Sequence, residues 1–223
     1  MSQMPSPKAV PRSDARKPKR WERRAHARRP ELLAAAIALF AERGFAATRL
    51  EDVAARAGVS KATVYVYFAD KERLFEAVVR ETVVPNLDRA RALIDGYDGT
   101  TPGLIRALIV LLESVLESPV SAVLKVVLAE SGNFPELARL WAELVIQRGF
   151  ALMCRVIERG IARGELRAVN PVDAAPLVIA PVLLLALWKH SFSAHAGMQL
   201  DRHAILAAHA DVVLRGLAKE ASS

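Results

Sequence analysis

Glu51-Asp52-Val53-Ala54-Ala55-Arg56-Ala57-Gly58-Val59-Ser60-Lys61-Ala62-Thr63-Val64-Tyr65-Val66-Tyr67-Phe68 is the stretch on which the reading of this chain turns. Val53, Ala54 and Ala57 share one side of a short helix with the preceding Leu50, while Glu51, Asp52 and Arg56 occupy the other. Gly58 supplies a turn, Val59 plugs the core beneath it, and Ser60 caps a second short helix carrying Lys61, Thr63, Tyr65 and Tyr67. That is helix-turn-helix spacing. The second helix bears the side chains that meet a phosphate backbone and a major groove.

Upstream, Leu33, Ile37, Phe40 and Ala41 trace one helical face in a segment that begins at Arg29. Gly44 fits a left-handed C-terminal cap with Phe45 folding back, and Thr48-Arg49-Leu50-Glu51 reads as a capping box with Thr48 at the N-cap. Downstream, Asp70 caps a fourth helix with Leu74, Phe75 and Val78 on its inner face; Pro85 interrupts or bends it and the region from Gly96 to Gly99 ends it. Thr101-Pro102 and Ser118-Pro119 each pair an N-cap with a proline at the first helical position, and Gly132 closes the second of these helices. Pro135 opens a long helix to about Gly160 or Gly164, Asn170-Pro171 opens one reaching Phe192, and Asp201 opens the last, to about Lys219. The expectation is an all-α chain of about nine helices. A basic, disordered tail over residues 1–27 precedes a small helix-turn-helix domain over 28–84 and a larger helical domain over 85–223.

A hydrophobic content of 52%, with 11 Gly and 6% aromatics, excludes a disordered chain and leans towards helices. The single Cys154 excludes an internal disulfide and fits a reducing compartment; among Leu152, Met153, Val156 and Ile157 it reads as an inert buried thiol. The N-terminus has no apolar signal region. The uncharged run Ala174–Trp188 is 15 residues long and holds Pro176 and Pro181, short of the roughly 20 a membrane span needs, so it reads as a buried helix and no membrane is expected.

The formal charge of +7 is unevenly placed. Lys8, Arg12, Arg16, Lys17, Lys19, Arg20, Arg23, Arg24, Arg28 and Arg29 against Asp14 and Glu22 give the first 29 residues +8 and leave −1 for the rest. Residues 30–84 are themselves at −1, seven basic against eight acidic. A near-neutral DNA-binding domain attracts DNA weakly from afar, so the tail is expected to supply phosphate neutralisation by counterion release.

Residues 30–80 resemble the N-terminal domain of the TetR family of bacterial transcriptional repressors. The matching residues are Val53-Ala54, Ala57-Gly58-Val59-Ser60-Lys61, Thr63, Tyr65, Tyr67-Phe68, Lys71 and Leu74, preceded by Phe40-Ala41-Glu42-Arg43-Gly44-Phe45 and Thr48. The resemblance implies a cytoplasmic homodimer on a palindromic double-stranded operator, and a C-terminal domain that binds a small-molecule inducer. By resemblance the DNA-contacting positions are Thr48, Arg49, Ser60, Lys61, Ala62, Thr63, Tyr65, Tyr67 and Lys71. Chemistry agrees: Ser60 leaves the positive helix end towards phosphate, Lys61 reaches a guanine edge or a phosphate, Thr63 offers a hydroxyl and a methyl group, and the tyrosines project hydroxyls past apolar rings. Lys71 is expected to add a backbone contact, and Thr48 and Arg49 to touch the opposite groove wall. Val66 departs from a common family preference for a polar or basic residue; unable to hydrogen-bond a base, it either reads a thymine methyl or contributes nothing.

For the C-terminal half, Phe134, Trp141, Phe150, Met153 and Trp188 are expected around a cavity for an apolar or aromatic effector. His190, His195, His203 and His209, spaced by 5, 8 and 6, lack the i, i+4 pairing of a helical zinc site, so neither a metal nor a cofactor is expected. The last two helices, about 171–195 and 201–219, are too apolar to stand alone in water and are expected to form a two-fold four-helix interface. No Ser/His/Asp set, carboxylate pair or phosphate loop points to an enzyme. The alternative is a helix-turn-helix regulator that senses no ligand.

Overall fold

The computed structural model describes residues 20–219, with side chains from residue 28 onward. These residues form nine helices: α1, Arg20–Ala47; α2, Leu50–Arg56; α3, Lys61–Tyr67; α4, residues 71–96; α5, Thr101–Glu117; α6, Ser121–Glu130; α7, residues 135–162; α8, Pro171–Phe192; and α9, Arg202–Leu217. Within α4, α7 and α8 one turn widens to i→i+5 bonding, at Val79–Val83, Ala142–Ile146 and Trp188–Phe192. Among the described residues the only extended pairing is one bridge, Leu166 with Ala218.

Polar caps set the helix starts. Ser60, Asp70, Thr100, Asn170 and Asp201 each accept a hydrogen bond from a first-turn N–H, satisfying donors that have no partner inside the helix. Two expected caps move. Thr100, not Thr101, caps α5, leaving Thr101 fully buried. Ser118-Pro119 enters a tight turn rather than α6 itself, which begins at Ser121 with α5 and α6 bent by 75°. The expected capping box also fails. The N-cap of α2 is Arg49, and the Thr48 hydroxyl instead donates to the Gly44 carbonyl at 2.7 Å.

The first helix starts at Arg20, so residues 20–27, expected in the disordered tail, are helical. The remainder of that tail, residues 1–19, lies outside the described residues. Pro85 does not break α4. It sits in the first turn after the widened segment, where its missing N–H costs least, and the Asn86 amide donates to the Thr82 carbonyl at 2.9 Å.

The chain closes two hydrophobic cores. The first joins α1–α4 to Val123, Val126 and Val127 of α6 and Leu137 and Trp141 of α7. Three short helices expose too much surface to close a core alone, and α6 and the start of α7 complete it. Phe45 is its centre, with ring centroids 5.5 Å from Phe40, 5.6 Å from Phe75 and 4.9 Å from Phe134. The second core gathers Ile94 of α4 with α5, the far half of α7, α8 and α9 and is almost wholly aliphatic. The helix Pro171–Phe192 is long and apolar enough to cross a membrane, with a mean hydropathy of 1.9 and only 33% of that window buried. It is therefore half-bare, not the buried helix expected: Leu177, Leu183, Leu184 and Phe192 are exposed, as is Val212 on α9.

Candidate nucleic-acid interface

Gly58, at φ 66°, reverses the chain between α2 and α3, a conformation that costs other residues dearly. The Val59 N–H then returns to the Ala54 carbonyl at 2.9 Å, and Val59 packs half-buried on the first core. Ser60 Oγ accepts from the Thr63 N–H at 3.2 Å, and the Ser60 and Thr63 hydroxyls lie 2.7 Å apart. Burial of Val64 and Phe68 anchors α3 by one face. The opposite face therefore points outward with Lys61, Ala62, Tyr65 and Val66, the last 74% exposed. Tyr67 is half-buried against the core, its ring 6.2 Å from that of Phe68.

That outward face is wired to α2. Glu51 Oε1 lies 2.7 Å from Lys61 Nζ and accepts from the Tyr65 hydroxyl at 3.0 Å. The Lys61 ammonium holds the Glu51 carboxyl down at about 2, helped by a backbone N–H and by Tyr65; in return Glu51 raises the pKa of both partners. Next to it, Asp52 faces Arg43 at 3.6 Å, and Glu42 holds Arg56. Arg49, exposed at the N-cap of α2, makes no ion pair among the described residues.

Two expected DNA contacts point elsewhere. Thr48 is 1% exposed and its hydroxyl is spent on Gly44. Lys71 Nζ donates to the Phe45 and Ala46 carbonyls at 2.7 and 3.0 Å and lies 4.4 Å from the centroid of the Phe45 ring; burial lowers its pKa. It caps the frayed end of α1, where carbonyls lack helical partners. Sequence reasoning missed Glu130 altogether. This nearly buried acid at the end of α6 accepts from the Ala46 N–H at 3.2 Å, and a Cβ on Gly44 would stand 2.9 Å from its Oε1. With φ 80° and ψ 171°, Gly44 is thus required by conformation, and a Cβ there would also push the Glu130 carboxylate aside, although its ψ is not that of the left-handed cap expected. The one available signal for Glu130 was an acid closing a largely apolar helix.

The five expected pocket residues do not converge. Phe134 and Trp141 belong to the first core and Met153 to the second; Phe150 is exposed at 37%. Trp188 packs 6.1 Å from Phe192, and its indole N–H is buried without a partner. A cleft of about 570 Å³ opens instead beside the first core, lined by Leu33, Ile37 and Ala41 of α1, Thr82 of α4, Val120 and His190. Among the described residues no group of His, Cys, Asp and Glu is placed to hold a metal ion.

Comparison with known proteins covers both halves of the chain. A family model for bacterial regulatory proteins of the tetR family matches residues 32–78, and one for the tetracyclin repressor-like C-terminal domain matches residues 98–198. The transcriptional repressor KstR2 of Mycobacterium tuberculosis is 39% identical over 70 residues, 31% of this chain and 35% of its own length. The transcriptional regulator RutR of Escherichia coli is 46% identical over 55 residues, 25% of this chain and 26% of its own. The chain thus matches only about a third or less of the length of these relatives in sequence. In three dimensions the likeness is wider: the SmeT–triclosan complex superposes with a TM-score of 0.71 at 25% identity, covering 87% of this chain and 93% of that one.

Proposed function

Because this chain belongs to the tetR family of bacterial regulatory proteins and is a DNA-binding transcriptional regulator, we propose that it acts as a cytoplasmic homodimeric repressor. It leaves a palindromic operator when a small apolar or aromatic molecule binds. The observation that carries the proposal is the outward face of α3, where Lys61, Ala62, Tyr65 and Val66 stand clear of a helix anchored by Val64 and Phe68. A helix so exposed, on a unit this small, has the shape a major groove admits. Lys61 and Tyr65 supply polar contacts, Ala62 and Val66 lie against thymine methyls, and Arg49 meets a phosphate from the start of α2. Thr63 and Ser60 fix the helix start and Tyr67 supports it from the core side. Thr48 and Lys71 serve by holding the α1–α2 corner in place. Residues 28–84 form the DNA-binding unit, and residues 85–223 supply dimer and effector surfaces.

Dimer formation is supported by the bare apolar ridge of α8 and α9, Leu177, Leu184 and Val212 included. Pairing two such ridges about a two-fold axis removes them from water and sets two α3 helices roughly 34 Å apart, one turn of DNA. Effector release is supported by the cleft between α1 and the turn before α6, since a molecule lodged there touches α1 and α4 of the DNA-binding side together with His190 of α8. The SmeT complex with triclosan offers a precedent in a structural relative.

The test begins with an operator selected from random duplexes. Wild type binds it as a dimer, and the double variant Lys61→Ala/Tyr65→Ala remains dimeric while losing binding. Retained binding removes the assignment of α3. Packing of Trp141 and Met153 into the two cores favours the second reading, a regulator that senses nothing. A thermal-shift screen with apolar compounds separates the two, because only a ligand-binding protein is stabilised.

A further inference from the structure

We propose that Glu51 is the specificity-setting residue of the DNA-binding face, withholding Lys61 and Tyr65 from DNA of arbitrary sequence; this rests on the operator-binding reading above. A single carboxylate oxygen receives both the Lys61 ammonium, at 2.7 Å, and the Tyr65 hydroxyl, at 3.0 Å. These are the two long polar side chains of the outward face of α3, and Lys61 is the only cation in that helix. Nothing buries the lysine, whose side chain is 66% exposed, so a nearby anion can compete for it. Glu51 is fixed by the first turn of α2, on the same rigid unit as α3.

The consequence follows from comparing what each kind of DNA offers. A duplex of arbitrary sequence presents phosphates. Moving Lys61 from a carboxylate 2.7 Å away to a phosphate exchanges one anion for another, and the freed Glu51 charge then faces the duplex unpaired. Non-specific binding, which lives on counterion release, therefore gains little from Lys61. An operator presents a base-edge acceptor and a backbone oxygen in the right register together, so both bonds to Glu51 are replaced at once and short-range contacts are added. Glu51 penalises the first complex more than the second. It touches no DNA itself and acts through the two side chains it holds.

The experiment measures binding to a 30-bp random-sequence duplex and to the selected operator across salt concentrations. Glu51→Gln keeps the shape and can still accept from Tyr65, but frees Lys61. The expected result is about tenfold tighter binding to the random duplex, with a salt slope steeper by about one counterion. The operator gains less, so the ratio of the two affinities falls. In a Lys61→Met background the gain from Glu51→Gln disappears, which a merely structural role of Glu51 does not predict. Thermal unfolding of each variant gives an independent check of folding. An unchanged random-duplex affinity and slope in Glu51→Gln, or an equal gain with Met at position 61, overturns the proposal while the regulator assignment stands. Wild type failing to bind any duplex overturns both.

Discussion

The two cores of this molecule are closed by different means. Around Phe45 the packing is aromatic and directional, and neighbouring polar groups are consumed internally: Lys71 on two carbonyls, Glu130 on the Ala46 N–H, and Arg29 on Glu81 across α1 and α4. The core under α8 and α9 is a slab of Ala, Val, Leu and Ile, and its outer side is left apolar and exposed. Edge-on rings and charge-assisted hydrogen bonds tolerate little sliding, which suits a unit that must hold α3 at a set angle. Aliphatic ridges pack in many ways and owe much of their stability to being covered. The first region is finished within one chain, and the second reads as half of something larger.

The largest effect expected of breaking this contrast is at its centre. Phe45→Ala removes a fully buried ring that touches three others, and chemical denaturation is expected to register a loss of about 3–5 kcal/mol. A loss below about 1 kcal/mol would mean that the aromatic cluster is not what closes this core. The bare side comes next. Leu177→Glu/Leu184→Glu places charges on the exposed ridge, and light scattering should then show monomers whose operator affinity has dropped about a hundredfold, some 2.7 kcal/mol, with the monomer still helical by circular dichroism. A dimer surviving both charges would place the interface elsewhere.

Lys71 sharpens the comparison, because family resemblance and geometry assign it different work. Lys71→Met forfeits two hydrogen bonds from a charged donor and is expected to cost about 1.5–3 kcal/mol of stability, with little change in the salt dependence of DNA binding. The reverse pattern, stability kept and salt slope reduced, would return Lys71 to the DNA. The smallest effect concerns His190 of α8, which lines the cleft. Burial, then Lys189 and Lys125, push its pKa down, and its Nε2 lies 2.7 Å from Ser121 Oγ. The unfolded chain takes up the proton near pH 6.5 while the folded chain resists, so stability falls as pH drops below that value. Denaturation midpoints at pH 7.5 and 5.5 should differ by less in His190→Gln than in wild type.

Much of this was written locally and could be read locally. Ser60, Asp70, Asn170 and Asp201 cap the helices they were expected to cap, because a cap is decided by a side chain and an N–H two or three residues away. Gly58 turns the chain where expected for a similar reason. The misreadings share the opposite character. Thr48 suits the start of α2, and only the carbonyl of Gly44 draws its hydroxyl away, leaving Arg49 before α2 without a side-chain cap. Lys71 finds its acceptors 25 and 26 residues away, and Glu130 its donor 84 residues away. The expected residues do not converge because an apolar side chain on an amphipathic helix looks the same whether it faces a cavity or a packed core, as Met153 does.

From its residues alone this chain determined an all-helical fold, the helix-turn-helix and the outward placement of Lys61 and Tyr65, since helical periodicity and capping act within a turn or two. Folding in three dimensions decided what those residues hold on to: Glu51 gathers both, α6 and α7 complete a core begun by α1–α4, and a ridge of α8 stays uncovered. Hydrogen-bond partners and buried neighbours are set by distance in space, and no local pattern carries that distance.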